Sequence, residues 1–418
     1  MLWNPMFRVP VVARRLAVAV ALAWTSAACN GSTEPGPQPS ISIDFEGASL
    51  GSWERVGGDT IAISIREDTG FPQGFWFSFQ VDAGLGRDLV FRVVDNNSLY
   101  GSGNWGTKQP VASSDGGETW TRVAAASVER GIFTFRHRPA SEAERIALTL
   151  PYPFSRWLEV LASIESEAFV RRVEILGQSL DGNPLHLVEV SDPSVPDDGK
   201  SLVWAVARQH PGEPEGSYMI EGFLDWILGD APGAVDLRRK ARILLVPFLN
   251  PDGVIRGNQR VNRAGLDLNR QWASPHPATS PTVLAAIEAI LAARNDGLGV
   301  RIMLDFHGAP LARSNFFYFN QESDVPPSLY AEMLDLMEAA VLANPEFVPV
   351  EFSTARPVQP GERTRNWAFQ NLGTHGLTIE ASGTDVSYGP FAGQQLTEAR
   401  YLALGEAVAL AVWGTLYN

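Results

Sequence analysis

The sequence predicts an α/β layered domain preceded by an all-β sandwich, and three observations carry that prediction. Between residues 41 and 152 apolar side chains alternate in short runs split by Gly, Asp and Asn, the pattern of half-buried strands joined by turns. From residue 153 onward near-continuous apolar runs interleave with helical spacings, as expected of a sheet covered on both faces. The chain has 418 residues, more than one ordinary core supports, which favours two domains, 41–152 and 153–418.

The first 28 residues read as an export signal. Arg8, Arg14 and Arg15 precede a short apolar stretch, residues 16–24 (LAVAVALAW), too short to span a bilayer comfortably. Ser26, Ala27, Ala28 and Cys29 follow, a run that resembles a bacterial lipobox in which the cysteine is lipidated. Ser26 departs from the usual leucine, and the plainer alternative is a secretory signal with Cys29 as a stray thiol. Residues 29–40 are a Pro/Gly/Ser linker, the expected tether of an exported bacterial lipoprotein in the periplasm or on the cell surface. Cys29 is the sole cysteine, so the chain forms no internal disulfide. The net charge of −14 argues against nucleic acid as a partner, because phosphate binding needs clustered cations.

In the first domain Ile61, Ile63 and Ile65 alternate with small or polar neighbours, and Phe75, Phe77, Phe79 and Val81 do the same. Residues 89–95, 119–123, 131–137 and 145–150 continue the pattern. The run Ser113 to Trp120 (SSDGGETW) fits an Asp-box, but a single copy is a hairpin turn and not a propeller. In the second domain strands are expected at 202–207, 243–249, 300–306, 316–319 and 376–381. Helices are expected at 215–228, 281–293, 329–342 and 396–413.

Three separated fragments carry the chemistry. His210-Pro211-Gly212-Glu213 follows the first strand, His307 follows the strand 300–306, and Glu380 lies within the strand 376–381. Sites in open α/β sheets form at the carboxyl ends of strands, so these side chains can converge. His210, Glu213 and His307 offer two imidazoles and a carboxylate, a set that binds catalytic zinc and leaves one position open. A further carboxylate in an apolar strand, Glu380, is costly to bury without a role. Glu215 competes as a nearby carboxylate but reads as a first-turn acid that complements the helix dipole. Asn250-Pro251-Asp252-Gly253 ends another strand and leads to Arg260 and then to Asn269-Arg270. An Asn beside an Arg suits a planar carboxylate, and a second Arg could stabilise an oxyanion.

HPGE, NPDG, GNQR, GLDLNRQW, DFHG and LTIEAS, in this order, resemble the M14 zinc metallocarboxypeptidases, and most closely the cytosolic carboxypeptidase subfamily with its bacterial relatives. Asn97-Ser98-Leu99-Tyr100, Trp120-Thr121-Arg122-Val123 and Pro151-Tyr152-Pro153-Phe154-Ser155 extend the resemblance into the β domain. The resemblance implies a mixed-sheet α/β/α carboxypeptidase domain. It implies one Zn2+ per chain held by His210, Glu213 and His307, with Glu380 as general base and acid. It also implies Arg260 as oxyanion stabiliser and Asn269 with Arg270 as the clamp for the terminal carboxylate of a peptide. Arg365 stands fifteen positions before Glu380, where the subfamily's basic residue implies acidic C-terminal residues. The alternative for Arg365 is a surface position paired with Glu362. Relatives place a tyrosine on a loop before the catalytic Glu. This chain has none between 331 and 379, which leaves Tyr318 and Tyr388 as candidates.

Two rival functions stand beside this one. An aspartoacylase-like amidohydrolase shares the zinc set and the Asn-Arg pair but lacks the β domain. A non-catalytic peptide-binding lipoprotein would not need all three ligands and Glu380. His137, His186, His276 and His375 lack metal-type spacing and read as structural or exposed.

Overall fold

The computed structural model describes residues 37–418 apart from 72–73, 75, 95–104, 107, 124–125, 296, 310–311, 359–360 and 385. The export signal, Cys29 and the rest of the linker up to residue 36, Phe75 and the segment 97–100 lie outside the described residues. Residues 39–418 form one compact unit.

The β region opens with β1 (Ser40–Ser42), β2 (Ser52–Gly57), β3 (Thr60–Ser64), β4 (Ser78–Asp82) and β5 (Leu89–Val93). It continues with β6 (Val111–Ser113), β7 (Thr121–Arg122), β8 (Ala126–Glu129), β9 (Ile132–His137) and β10 (Ala143–Ala147). Two five-stranded sheets result, ordered β1-β4-β10-β6-β7 and β2-β3-β5-β9-β8. Side chains on a strand point alternately to opposite faces. Phe79 and Val81 of one sheet, and Leu89, Phe91, Val93, Phe133 and Phe135 of the other, therefore share a single interior. Ring centroids of Phe79 and Phe91 lie 5.5 Å apart, and Phe77 stacks on Phe135 at 5.9 Å. Each buried ring contributes roughly 1.5–3 kcal/mol of transfer free energy. The Asp-box run is a turn: Asp115 accepts from the backbone of Glu118 and Thr119.

The second part begins with α1 (Phe154–Ile164), then β11 (Val170–Gln178), β12 (Pro184–Val190) and β13 (Ser201–Ala207). Helices α2 (Pro214–Leu228) and α3 (Pro232–Lys240) lead to β14 (Ala241–Val246), α4 (Pro251–Ile255) and α5 (Pro281–Asn295). Next come β15 (Val300–Ala309), β16 (Phe316–Asn320), α6 (Pro327–Ala343) and β17 (Thr354–Arg356). The last elements are α7 (Thr364–Trp367), β18 (His375–Ser382) and α8 (Glu398–Leu416). The eight-stranded sheet runs β11-β12-β14-β13-β15-β18-β16-β17. Its centre, β14, β13, β15 and β18, is parallel, and antiparallel pairs at β12 and β16 make it mixed.

Alternation along β13 explains the layers. Val203, Ala205 and Ala207 join the core under α2, α3, α6 and α8, whereas Leu202, Trp204 and Val206 join the core under α5. Helices α2 and α8 approach unusually closely. A Cβ at Gly222 would collide with the carbonyl of Leu402, and one at Gly405 with the carbonyl of Met219, so only glycine permits the contact.

Two boundaries near the carboxyl edge of the sheet differ from those expected. The strand expected at 243–249 ends at Val246, because Leu249 and Asn250 turn back to bond Ala207 and Arg208. The strand expected at 300–306 continues to Ala309, since small residues at 308 and 309 pair with Ala381 and Ser382 of β18. His307 thus sits inside β15, in register with Glu380.

Candidate active site

The carboxyl ends of the parallel strands meet at one edge, as such sheets require. After β13 the chain turns sharply. Arg208 has φ of 57°, and its buried guanidinium donates to Pro211 O at 2.9 Å, Tyr152 O at 3.0 Å and Ser217 Oγ at 2.9 Å. That brace holds a strained residue and presents His210 at the sheet edge. Glu213 is the N-cap of α2, with Pro214 at the first helical position, where its fixed φ suits a helix start.

Nδ1 of His210 lies 2.9 Å from one oxygen of Glu213, and Nδ1 of His307 lies 2.7 Å from the other. Ligand atoms of all three residues fall within 4.8 Å of one another, and all three residues are buried. The opposite ring nitrogens are also engaged. His210 Nε2 is 3.0 Å from Asp267 Oδ1, and His307 Nε2 is 3.0 Å from Asp305 Oδ1. Carboxylates behind metal-binding imidazoles fix the ring and raise its basicity. Two imidazole nitrogens and a carboxylate converging in a buried pocket fit zinc in number and type.

The electrostatics point the same way. Burial opposes a charged His307, but Asp305 and Glu213 on either side outweigh it and hold the imidazole well above its ordinary range. Burial likewise opposes a charged Glu213, but His210 and His307 keep its carboxyl well below the usual value. The cluster therefore favours positive charge at its centre. Glu380 is raised well above an ordinary carboxylate, chiefly by burial, with Glu213 and Asp305 adding to the shift and His307 and Arg260 opposing it. A cation among the three ligands would favour its ionised form.

A cavity of about 560 Å³ is lined by His210, Glu213, Arg260, Asn269, Arg270, Arg365 and Glu380, with Tyr318 on its wall. Arg260 donates to Asp267 from Nε at 2.9 Å and pairs with it through Nη2 at 2.7 Å. Asn269 Oδ1 accepts from Thr364 N at 3.2 Å, and Arg270 Nη1 donates to Asn269 O at 2.7 Å. Arg365 lies in α7 and is 5% exposed. Its guanidinium carbon is 5.7 Å from the Tyr318 ring centroid. Among the described residues it forms no ion pair with Glu362. Tyr388 packs against Phe352 and does not line the cavity. Glu215 does sit in the first turn of α2 but is fully buried. Burial, opposed by Lys108, pushes its carboxyl up to about 7.

Asp267, Asp305 and Gln209 form the supporting shell, and sequence reasoning assigned them no role. Gln209 is fully buried and donates to Asp305 at 2.7 Å and Thr364 at 2.8 Å while accepting from Trp272 at 2.8 Å. The available signal was a charged residue flanked by apolar ones, in GLDLN and MLDFH. The other histidines stand apart: His137 meets Glu144, His375 meets Glu332, His186 stacks on Phe154, and His276 accepts from Ala278 N.

The zinc carboxypeptidase family, peptidase M14, matches residues 155–399, and the cytosolic carboxypeptidase N-terminal domain matches residues 41–149. This chain belongs to the zinc carboxypeptidase family. It is similar to a metallo-carboxypeptidase from Burkholderia cenocepacia, with a TM-score of 0.82 and 26% identity, covering 91% of this chain and 99% of that one. A metallo-carboxypeptidase from Pseudomonas aeruginosa, solved with (2-guanidinoethylmercapto)succinic acid, gives a TM-score of 0.79 at 27% identity, covering 90% of this chain and 98% of that one. Cytosolic carboxypeptidase 6 of Mus musculus is 29% identical over 66% of this chain and 54% of its own length. The chain thus spans about half the length of that relative.

Proposed function

We propose that this protein is a zinc-dependent exopeptidase that removes the C-terminal amino acid of peptides and favours Glu or Asp at that end. The observation that carries this reading is the convergence of the His210-Glu213-His307 cluster, Glu380 and the cavity arginines on one pocket. His210, Glu213 and His307 would hold one zinc ion. When bound, zinc supplies an acidified water and polarises the scissile carbonyl. Glu380 takes the water's proton as the C–O bond forms and returns it to the leaving nitrogen as the C–N bond breaks. Arg260 supplies positive charge for the oxygen that becomes negative. Asn269 and Arg270 bind the substrate's terminal carboxylate, which restricts attack to the last peptide bond. Arg365, lining the cavity with no carboxylate partner among the described residues, supports the acidic preference.

Mass spectrometry of a mixed peptide library, with peptides ending in Glu, Lys and Leu, tests the reading. Loss of one C-terminal residue is expected, fastest from Glu, and abolished by a chelator. Glu380→Gln is expected to lower kcat by about a hundredfold or more while zinc content holds. Unchanged turnover in that variant would sink the mechanism. Deacylation of N-acyl amino acids with unblocked peptides left intact would favour the aspartoacylase-like alternative, which the matched 41–149 domain disfavours. We also propose export with a lipid anchor at Cys29. Membrane fractionation of Cys29→Ser tests it, and release of the variant into the soluble fraction is the expected outcome.

A further inference from the structure

We propose that Asp68, in the β region, is a positioning residue for Arg260. The proposal rests on the reading of Arg260 as the cation for the developing oxyanion. Asp68 is 5% exposed. Its Oδ1 accepts from Gln259 N at 2.9 Å, and its Oδ2 accepts from Arg260 N at 2.7 Å and Val261 N at 3.0 Å. These three consecutive amides belong to an irregular segment after α4, where no helix or sheet ladder satisfies them. Buried amides need partners, and one carboxylate supplies all three through charge-assisted bonds. An apolar contact would join the two regions at lower cost than a buried charge, so the carboxylate is specific to this backbone.

Neighbouring residues act on the same loop. Arg66 Nη2 donates to Arg256 O at 2.6 Å and Asn258 Oδ1 at 3.1 Å. The Phe71 ring centroid lies 5.7 Å from the Arg260 guanidinium carbon, a cation–π distance. The far end of Arg260 is fixed by Asp267, which also faces His210. On its other side the loop touches the metal-ligand turn, since Gly212 N donates to Gln259 O at 2.9 Å. A Cβ at Gly212 would sit 2.8 Å from that oxygen. The β region therefore determines where the Arg260 charge stands relative to His210 and Glu213. A group that acts through Arg260 alters the rate of the chemical step more than substrate binding.

The test uses the full zinc-loaded chain. Asp68→Asn keeps the side-chain shape and one acceptor oxygen. It is expected to lower kcat between about tenfold and a hundredfold, with KM and zinc content unchanged and faster amide exchange at 259–261. In an Arg260→Ala background it is expected to have no further effect on kcat, because both changes remove the same interaction. Phe71→Leu serves if Asp68→Asn does not fold, with a loss of kcat that likewise disappears beside Arg260→Ala. Parent kcat in Asp68→Asn, or fully multiplicative losses in the double variants, overturns the proposal. If the parent chain releases no amino acid, it is the carboxypeptidase reading that has failed. Amide exchange then still decides the structural half: unchanged exchange at 259–261 overturns the hold of Asp68 on the loop.

Discussion

Arg365 lines the cavity. Its Nε is buried without a hydrogen-bond partner, and no carboxylate pairs with it among the described residues. Burial and the nearby Arg363 push its pKa down to about 10, against the pull of Asp305; it stays protonated at neutral pH. A substrate carboxylate would relieve that tension. Arg365→Met keeps the stem and removes the charge, so the ratio of kcat/KM for peptides ending in Glu over those ending in Leu is expected to fall by at least ~30-fold, about 2 kcal/mol. A ratio that does not move would show that the guanidinium contacts no substrate side chain. At this scale the convergence of His210, Glu213 and His307 was legible in the sequence, because imidazoles and carboxylates in apolar strand ends have few other uses. Gln209 was not, because an amide beside a ligand carries no charge signature and its partners, Asp305, Thr364 and Trp272, lie far along the chain.

Strand β18 shows how one element is seated. Its first residue, His375, meets Glu332 of α6 at 2.6 Å, and Glu332 also pairs with Arg301 of β15. Arg301 foremost, with His375 assisting, lowers the Glu332 carboxyl from 4.5 to about 2 against a desolvation cost. The folded carboxyl is the stronger acid, so its contribution to stability is complete above pH 4.5 and is lost as pH falls toward 2. Glu332→Gln should cost about 1 kcal/mol at neutral pH. It should also flatten the fall in stability between pH 4.5 and 2, as urea unfolding at stepped pH would reveal. A parallel pH dependence in variant and parent would refute the pairing's contribution. Among the elements, the parallel strands were legible because burial on both faces leaves unbroken apolar runs. Strand β11 was not legible, because it is an edge strand whose side chains, Arg171, Arg172 and Glu174 among them, are largely exposed.

For the molecule as a whole, the order of motifs along the chain disclosed the mixed sheet and its catalytic edge, and alternation disclosed the sandwich. The joining of the two regions was not legible. Glu46 accepts from Phe154 N at 2.5 Å at the start of α1, and Lys108 Nζ donates to Gly383 O at 2.7 Å just past β18. Such contacts link segments distant in sequence and leave no periodic trace in either.

The glycine contact between α2 and α8 has a temporal consequence. Glu213 begins α2, and α2 is seated by a helix synthesised long after it. Gly222→Ala would wedge the pair apart, at a cost of roughly 1–3 kcal/mol, and should weaken zinc retention in a chelator competition; undiminished retention would uncouple the helix pair from the ligand. A nascent polypeptide halted before Glu398 would likewise lack the buttress behind α2, so the seat of Glu213 belongs to the completed chain rather than to the growing one.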